Sequence, residues 1–460
     1  MTVDGGGIGD TITANLGAGF SLTLTGLTIT GSDNQQETDT LGTGLLVFGG
    51  SLTLRQCNVI GNDRGVFVIG GSGQLVEECI FSDHWRSALV FTQADGSTTV
   101  VESLFTESLF TDNHTFSVGG GLLIEGSVNG TTGVVVVAAC EFDANLAEFI
   151  GAGAFFGYLG SVHMTQTLFT NNVSPANAGA LITNQIVSFL AEDCRFFGNL
   201  AGLGGGAFVD SMPGLSVEFE RCLFVDNDVT VGGGAIACSI NGGDVVLRRC
   251  TMANSTSPGA TAVRAVTHHV LIENSIIWGN GPGPLFQMHP GGSVDVRYSD
   301  VQGGIPGIGN FDLDPLFTDP ANGFQYSLQP GYPCIDAGDP DHSLDPDGSV
   351  VDLGAIPFQP SSASPLAGMG PRFLRGDVNA ESQVDLADPI ALLNHLFSTT
   401  FLSCEDRADA NDDGQLDIAD PIRLLGFLFA SGDAPAAPYP SCWWDGSVDA
   451  LRCVDVGVCP

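Results

Sequence analysis

The 460-residue chain carries 52 acidic against 14 basic residues, a formal net charge of −38, and every basic residue is an arginine. With no basic stripe to neutralise phosphates, nucleic acid and an anionic membrane surface are excluded as partners. Charged residues make up only 14%, glycine supplies 63 positions and 43% of the chain is hydrophobic, which excludes disorder and fits a glycine-turned, β-rich body.

The chain opens at Met1 on a strand-like pattern, without the basic and apolar regions of an export signal, and an N-terminal segment is expected to be missing. No apolar run approaches the ~20 residues that span a bilayer. From residue 20 to about 300, self-similarity dominates. Phenylalanine stands three before asparagine at Phe110–Asn113, Phe142–Asn145, Phe169–Asn172, Phe196–Asn199 and Phe224–Asn227, with a looser Ile277–Asn280. Small-residue blocks recur from residues 119, 151, 177, 204 and 232, as at Gly204-Gly205-Gly206-Ala207. Several short strands per repeat, with a period in the twenties, predict a parallel β-helix.

Within a repeat such as Leu215 to Phe224 the apolar alternation slips by one at Glu220-Arg221, which predicts a corner between two short strands. Stacked coils lie about 4.8 Å apart, so equivalent residues form ladders. The first corner position reads Glu192, Glu220, Arg248, Glu273, Arg297, an exposed ladder of mixed sign. Cys57, Cys79, Cys140, Cys194, Cys222 and Cys250 share the next inward column, where Thr167 and Ser275 substitute. A column of parallel side chains suits buried packing better than disulfides or metal. The asparagines read as stacked amides at turns.

From residue 311 the repeat gives way to an acidic, Pro/Gly-rich stretch expected to form the last coils and cap, over 311–357. Asp339, Asp341, Asp345 and Asp347-Gly348 read as a solvated turn, with a cation as the alternative. Residues 358–371 read as a linker. The expected organisation is therefore a mainly β solenoid over 1–357 and a small α-helical domain over 372–460.

That second domain holds the motif with the most chemistry. Asp409, Asn411, Asp413, Gln415, Asp417 and Asp420 place oxygen donors at the alternating positions that surround a hard cation, with Gly414 at the sharp turn. A second set stands 32 residues earlier at Asp377, Asn379, Glu381, Gln383, Asp385 and Asp388, with Ser382 in place of the glycine. Each loop runs into a proline-led helix. Ile390, Leu393, Leu396 and Phe397 are expected to make the apolar face of one helix; Ile422, Leu425, Leu428 and Phe429 that of the other. Two Ca2+ ions are expected, the second loop having the fuller set, with folding coupled to binding. Cys404, Cys442, Cys453 and Cys459 can staple so small a domain in an oxidising compartment, in pairings the sequence leaves open. Trp443-Trp444 is expected to cover its core.

Residues 372–433 resemble a type I dockerin. The resemblance implies docking onto a cohesin-like protein through the positions between the last two ligands, here Leu386-Ala387 and Ile418-Ala419, in either of two orientations. Residues 20–300 resemble the right-handed parallel β-helix of bacterial surface proteins with polymorphic outer-membrane repeats. Residues 311–355 resemble the choice-of-anchor Q segment that precedes anchoring tails. Export and attachment to a cell surface or scaffold are implied, with polysaccharide or surface components as ligands.

Two functions remain in view. One is a non-catalytic extracellular β-helix protein attached by its tail. The other is a polysaccharide lyase or glycoside hydrolase acting on acidic polysaccharide, which needs an arginine base beside carboxylates or a pair of carboxylates across a cleft. His84, His163 and His268-His269 are the loose catalytic candidates, and solenoid arginines fall mostly on the corner ladder.

Overall fold

The computed structural model describes the chain apart from residues 5–9, 17–18, 33–41, 72, 94–100, 127–132, 258–260, 282, 318–325, 329–331, 343, 346–348, 359–371, 380, 382, 399–401, 403, 431, 437, 440–442, 445–450 and 452–460. The linker reading and Asp347-Gly348 therefore lie almost wholly outside the described residues. Two compact units emerge, Met1–Phe358 and Gln359–Pro460.

The first unit is a parallel β-helix. Each coil contributes one short strand to each of three long sheets, and each strand hydrogen-bonds in parallel to its equivalent in the next coil. Among the described residues the first sheet runs from Thr2–Asp4 to Asp300–Val301, the second from Ile12–Asn15 to Phe286–Met288, and the third from Ser21–Thr25 to Ser293–Arg297. A fourth, smaller sheet runs from His114–Thr115 to Asp228–Gly232 in the connections between the first and second.

The corner from third to first sheet is a single residue in the left-handed region, with φ of 51° at Ala139, 47° at Gln166, 54° at Asp193 and 50° at Arg221. None of these is glycine, so each carries strain of roughly 1 kcal/mol. Two bonds hold the corner. Its amide reaches the next coil, as in Ala139 N–H to Thr165 O at 3.0 Å. The following residue donates to the carbonyl two back, as Cys79 to Glu77 at 3.2 Å, Ser108 to Thr106 at 2.8 Å and Thr167 to Thr165 at 3.0 Å. Thiol and hydroxyl do the same work, which explains why cysteine, serine and threonine interchange in this column. The column's cysteines are buried.

Asparagine fixes the next corner. Asn172 donates through its side chain to Phe142 O at 2.8 Å and Asn199 Oδ1 at 2.9 Å, and its own Oδ1 accepts from Asn145. Phe81, Phe110, Phe142, Phe169, Phe196 and Phe224 stack beneath it with centroids 4.6 to 5.1 Å apart and rings within 7° of parallel. Face-to-face stacking is not the preferred aromatic geometry; the coil spacing imposes it. Glycine is needed where these rings meet the next strand: a Cβ on Gly206 would fall 2.6 Å from the Phe224 ring.

Beyond the repeats, the described residues between 326 and 358 lie on the flank of the last first-sheet strands. Leu328, Cys334 and Leu353 bury Ile276, and Ala355 N–H donates to Thr251 Oγ1 at 3.0 Å. Asp300 is sealed beneath this strap, and burial pushes its carboxyl up to about 6 against one amide donor, Leu313.

Replacing Ala139 by glycine is expected to raise stability by about 0.5–1 kcal/mol, whereas glycine at the neighbouring extended Ala138 lowers it by as much; denaturation midpoints check both. Asp300 binds its proton more tightly folded than unfolded, so its contribution is fully favourable below pH 4 and is lost as the pH climbs to 6. A rise of that size corresponds to about 3 kcal/mol. Asp300→Asn is expected to flatten the pH 4–6 dependence of the thermal midpoint and to raise the midpoint at pH 7.5.

Candidate functional site

The second unit is built on two loop–helix segments. Helix α1 spans Ala387–Ser398, a one-turn α2 spans Glu405–Ala408 and α3 spans Ala419–Ala430. α1 packs against α3 around Leu392 and Leu424, which are fully buried with Ala408 and Ala410 and flanked by the buried Val378 and Leu402. Arg372–Phe373 pairs antiparallel with Trp443–Trp444.

The helix faces differ from the sequence expectation. Leu392 and Leu424 point inward and Leu396 is partly buried, but Ile390, Phe397, Ile422 and Phe429 are exposed. Both helices are apolar on more than one side, so periodicity selects a stripe without saying which stripe a neighbour covers.

The two loops close in the same way. In the first, Glu381 N–H donates to Asp377 Oδ1 (2.9 Å) and Asn379 Oδ1 (3.2 Å). Asn379 and Asp385 donate to the two oxygens of Asp388 at 3.3 and 2.7 Å, and Ala387 to Asp385 at 2.7 Å. In the second, Asp413 N–H donates to Asp409 and Asn411, Asn411 and Asp417 to the two oxygens of Asp420, and Ala419 to Asp417. Every bond recurs 32 residues on. The second loop adds Gly414 N–H to Asp409 Oδ2 at 2.8 Å, with Gly414 at φ 76°. Ser382, its counterpart, lies outside the described residues.

Asp388, Asp409 and Asp420 are fully buried and Asp377 nearly so; Asn379, Glu381, Gln383, Asp385, Asp413, Gln415 and Asp417 are exposed and Asn411 half-buried. Burial, then the Asp409 carboxylate beside it, pushes Asp420 up to about 7; burial, then Asp377, pushes Asp388 up to about 6. The structure thus brings carboxylates together in pairs. Among the described residues no three His, Cys, Asp or Glu side chains converge as a metal cluster. Leu386, Ala387, Ile418 and Ala419 are all exposed at the helix starts.

A residue that the sequence reading passed over holds the second loop in place. Arg375 is completely buried; its Nη1 donates to Asp409 O at 2.7 Å and Asp406 O at 2.9 Å. The guanidinium also pairs with Asp406 at 3.2 Å and Asp412 at 2.9 Å. Cys404 is disulfide-bonded. Cys442, Cys453 and Cys459 lie outside the described residues.

The solenoid's histidine candidates have structural posts. His84 occupies the asparagine column, accepting from Asn62 N–H at 3.1 Å while its own amide donates to Asn113 Oδ1; burial pushes the ring down to about 4. His163 pairs with Glu192 at 2.8 Å and His269 with Asp244 at 3.7 Å on the outer face of the third sheet. His268 stands 3.1 Å from Ser211 Oγ, but both are buried and Nδ1 faces the Ser239 carbonyl. Arg221 lies between Asp193 (2.6 Å), Glu192 (3.6 Å) and Glu220 (3.7 Å), Arg248 joins Glu218 and Glu273, and Arg249 joins Glu220.

A family profile described as "Right handed beta helix region" matches residues 11–196. The solenoid is a right-handed parallel β-helix. No curated protein matches the chain. No helix among the described residues is long and apolar enough to cross a membrane.

Arg375→Met would leave two carboxylates and two carbonyls without their buried cation. Destabilisation of the second unit by about 3–5 kcal/mol is expected, read as earlier proteolysis of that unit in the full chain while the solenoid stays protected.

Proposed function

We propose that the chain is a non-catalytic, extracellular β-helix protein that presents its solenoid to polysaccharide or other surface components and is attached through a calcium-loaded, dockerin-like C-terminal unit. The observation that carries the reading is the repetition across 32 residues of exposed apolar side chains and of five loop hydrogen bonds. Leu386, Ile390 and Phe397 are exposed in the first copy, and Ile418, Ile422 and Phe429 in the second, with Phe397 72% and Phe429 68% accessible. Large apolar side chains left in water in matched pairs fit a docking surface that a cohesin-like partner covers.

The loop chemistry fits calcium. All donors are oxygens, and the paired buried carboxylates Asp377/Asp388 and Asp409/Asp420 need either a proton or a cation to offset their repulsion. Asp377, Asn379, Glu381, Gln383, Asp385 and Asp388 would hold one ion; Asp409, Asn411, Asp413, Gln415, Asp417 and Asp420 the other. The ion supplies positive charge where the loop brings carboxylates together, and the small core around Leu392 and Leu424 then gains a fixed frame. The disulfide at Cys404 agrees with an oxidising compartment.

Calorimetric titration of the full chain should show about two calcium ions bound, with EDTA loosening the C-terminal unit alone. Absence of any calcium response would sink the reading. Against a cohesin-like partner, Leu386→Asp or Ile418→Asp alone should preserve docking, and the two together should abolish it.

A further inference from the structure

The connections between the first and second sheets vary in length, and the variation opens a notch. In the coil before Arg64–Ile69 the connection shrinks to residues 61–63; the next coils use 83–88 and then 112–121. The longer connections fold over the outer face of the second sheet, where Val118, Ile150 and Leu203 cover Val90, Leu123, Phe155 and Ile182. At Arg64 this cover runs out among the described residues, and a cavity of about 270 Å3 is left.

The cavity is unusual for so acidic a chain. Two of its 14 arginines, Arg64 and Arg86, from adjacent coils, line it together. Arg64 lies 4.4 Å over the Phe67 ring, and its buried Nε has no hydrogen-bond partner among the described residues. Arg86 is anchored to Asp63 at 3.4 Å and remains 45% exposed. Phe116, 60% exposed, lines the cavity with them, and Trp85, 56% exposed, lies outside its lining. His114 sits between the two rings, 4.7 Å from Phe116 and 5.9 Å from Trp85, and is tied to Glu148 at 3.3 Å. Thr92 and Ser117 add hydroxyl-bearing side chains to the lining.

We propose that this notch binds an acidic sugar unit of a polysaccharide, with Arg64 and Arg86 taking the carboxylate and Phe116 stacking on the sugar face. The fork of a guanidinium matches a carboxylate, and exposed aromatic rings match the C–H face of a pyranose, whose hydroxyls need the neighbouring polar groups. A net charge of −38 repels a dense polyanion. The occupant is therefore an isolated uronate among neutral sugars. The assignment rests on the solenoid being the glycan-presenting body and is independent of the docking tail.

The test is calorimetry on the full chain with a xylo-oligosaccharide bearing one glucuronate, against neutral xylotetraose. The acidic sugar should bind and the neutral one at least about tenfold more weakly. Arg86→Gln and Phe116→Ala, both exposed and expected to fold, should each weaken binding about tenfold, while Arg297→Gln on the third sheet should not. Equal binding of the neutral sugar, or unchanged affinity in both notch variants, overturns the site and leaves a glycan-binding solenoid standing elsewhere. Binding of neither sugar overturns the site, and failure across a panel of polysaccharides removes the glycan-presenting reading with it.

Discussion

One constraint governs the solenoid: each residue's nearest non-local neighbour is its own counterpart one coil away, at the spacing of parallel strands. A side chain is tolerated in a column only if it can live beside a copy of itself. Phenylalanine does so by stacking, asparagine by donating and accepting the same amide bond, and cysteine by turning its thiol to a local carbonyl. Charge is the hard case. Glu192 and Glu220 are in-register neighbours of like sign, and Arg221, itself the corner residue of its coil, reaches both. The arginines of this face are thereby engaged in holding the ladder together.

Because columns repeat, they were legible in the sequence. The Phe-x-x-Asn recurrence marks stacked rings and the amide ladder, and the mixed-sign corner marks the ion-pair row. His84 escaped recognition because a histidine among asparagines looks like chemistry; only the register shows that its Nδ1 accepts the bond an asparagine oxygen would take. The left-handed corner was also invisible. Glycine is the usual signal for positive φ, and here Ala139, Gln166 and Arg221 take it because the coil-to-coil bonds over-determine the turn. Features set by connection length, such as the fourth sheet, the flank strap and the notch at Arg64, have no periodic signature at all.

The C-terminal unit was legible in the opposite sense. The spacing of the acidic and amide residues announced the loops, and the structure folds both into the same hydrogen-bond pattern. What spacing could not supply was the support. Arg375 stands outside the motif, yet its guanidinium binds the carbonyl of Asp409, the first residue of the second loop. Nor could spacing tell which apolar residues face inward, and the exposed set at Ile390, Phe397, Ile422 and Phe429 is where attachment is proposed.

The two units differ in how their buried polar groups are satisfied, and this bears on the proposed division of labour. In the solenoid's amide ladder the asparagine side chains donate to a neighbouring coil's carbonyl and to the next amide, with no external ion. In the tail, buried carboxylates face one another and burial raises their affinity for a proton. An external cation replaces that proton in the proposed state. Loss of calcium would then release the attachment while the coil-to-coil bonds keep the presenting surface intact. On that proposal, a body stabilised by self-satisfied columns and a tail stabilised by an ion from solution would be separable by one solute.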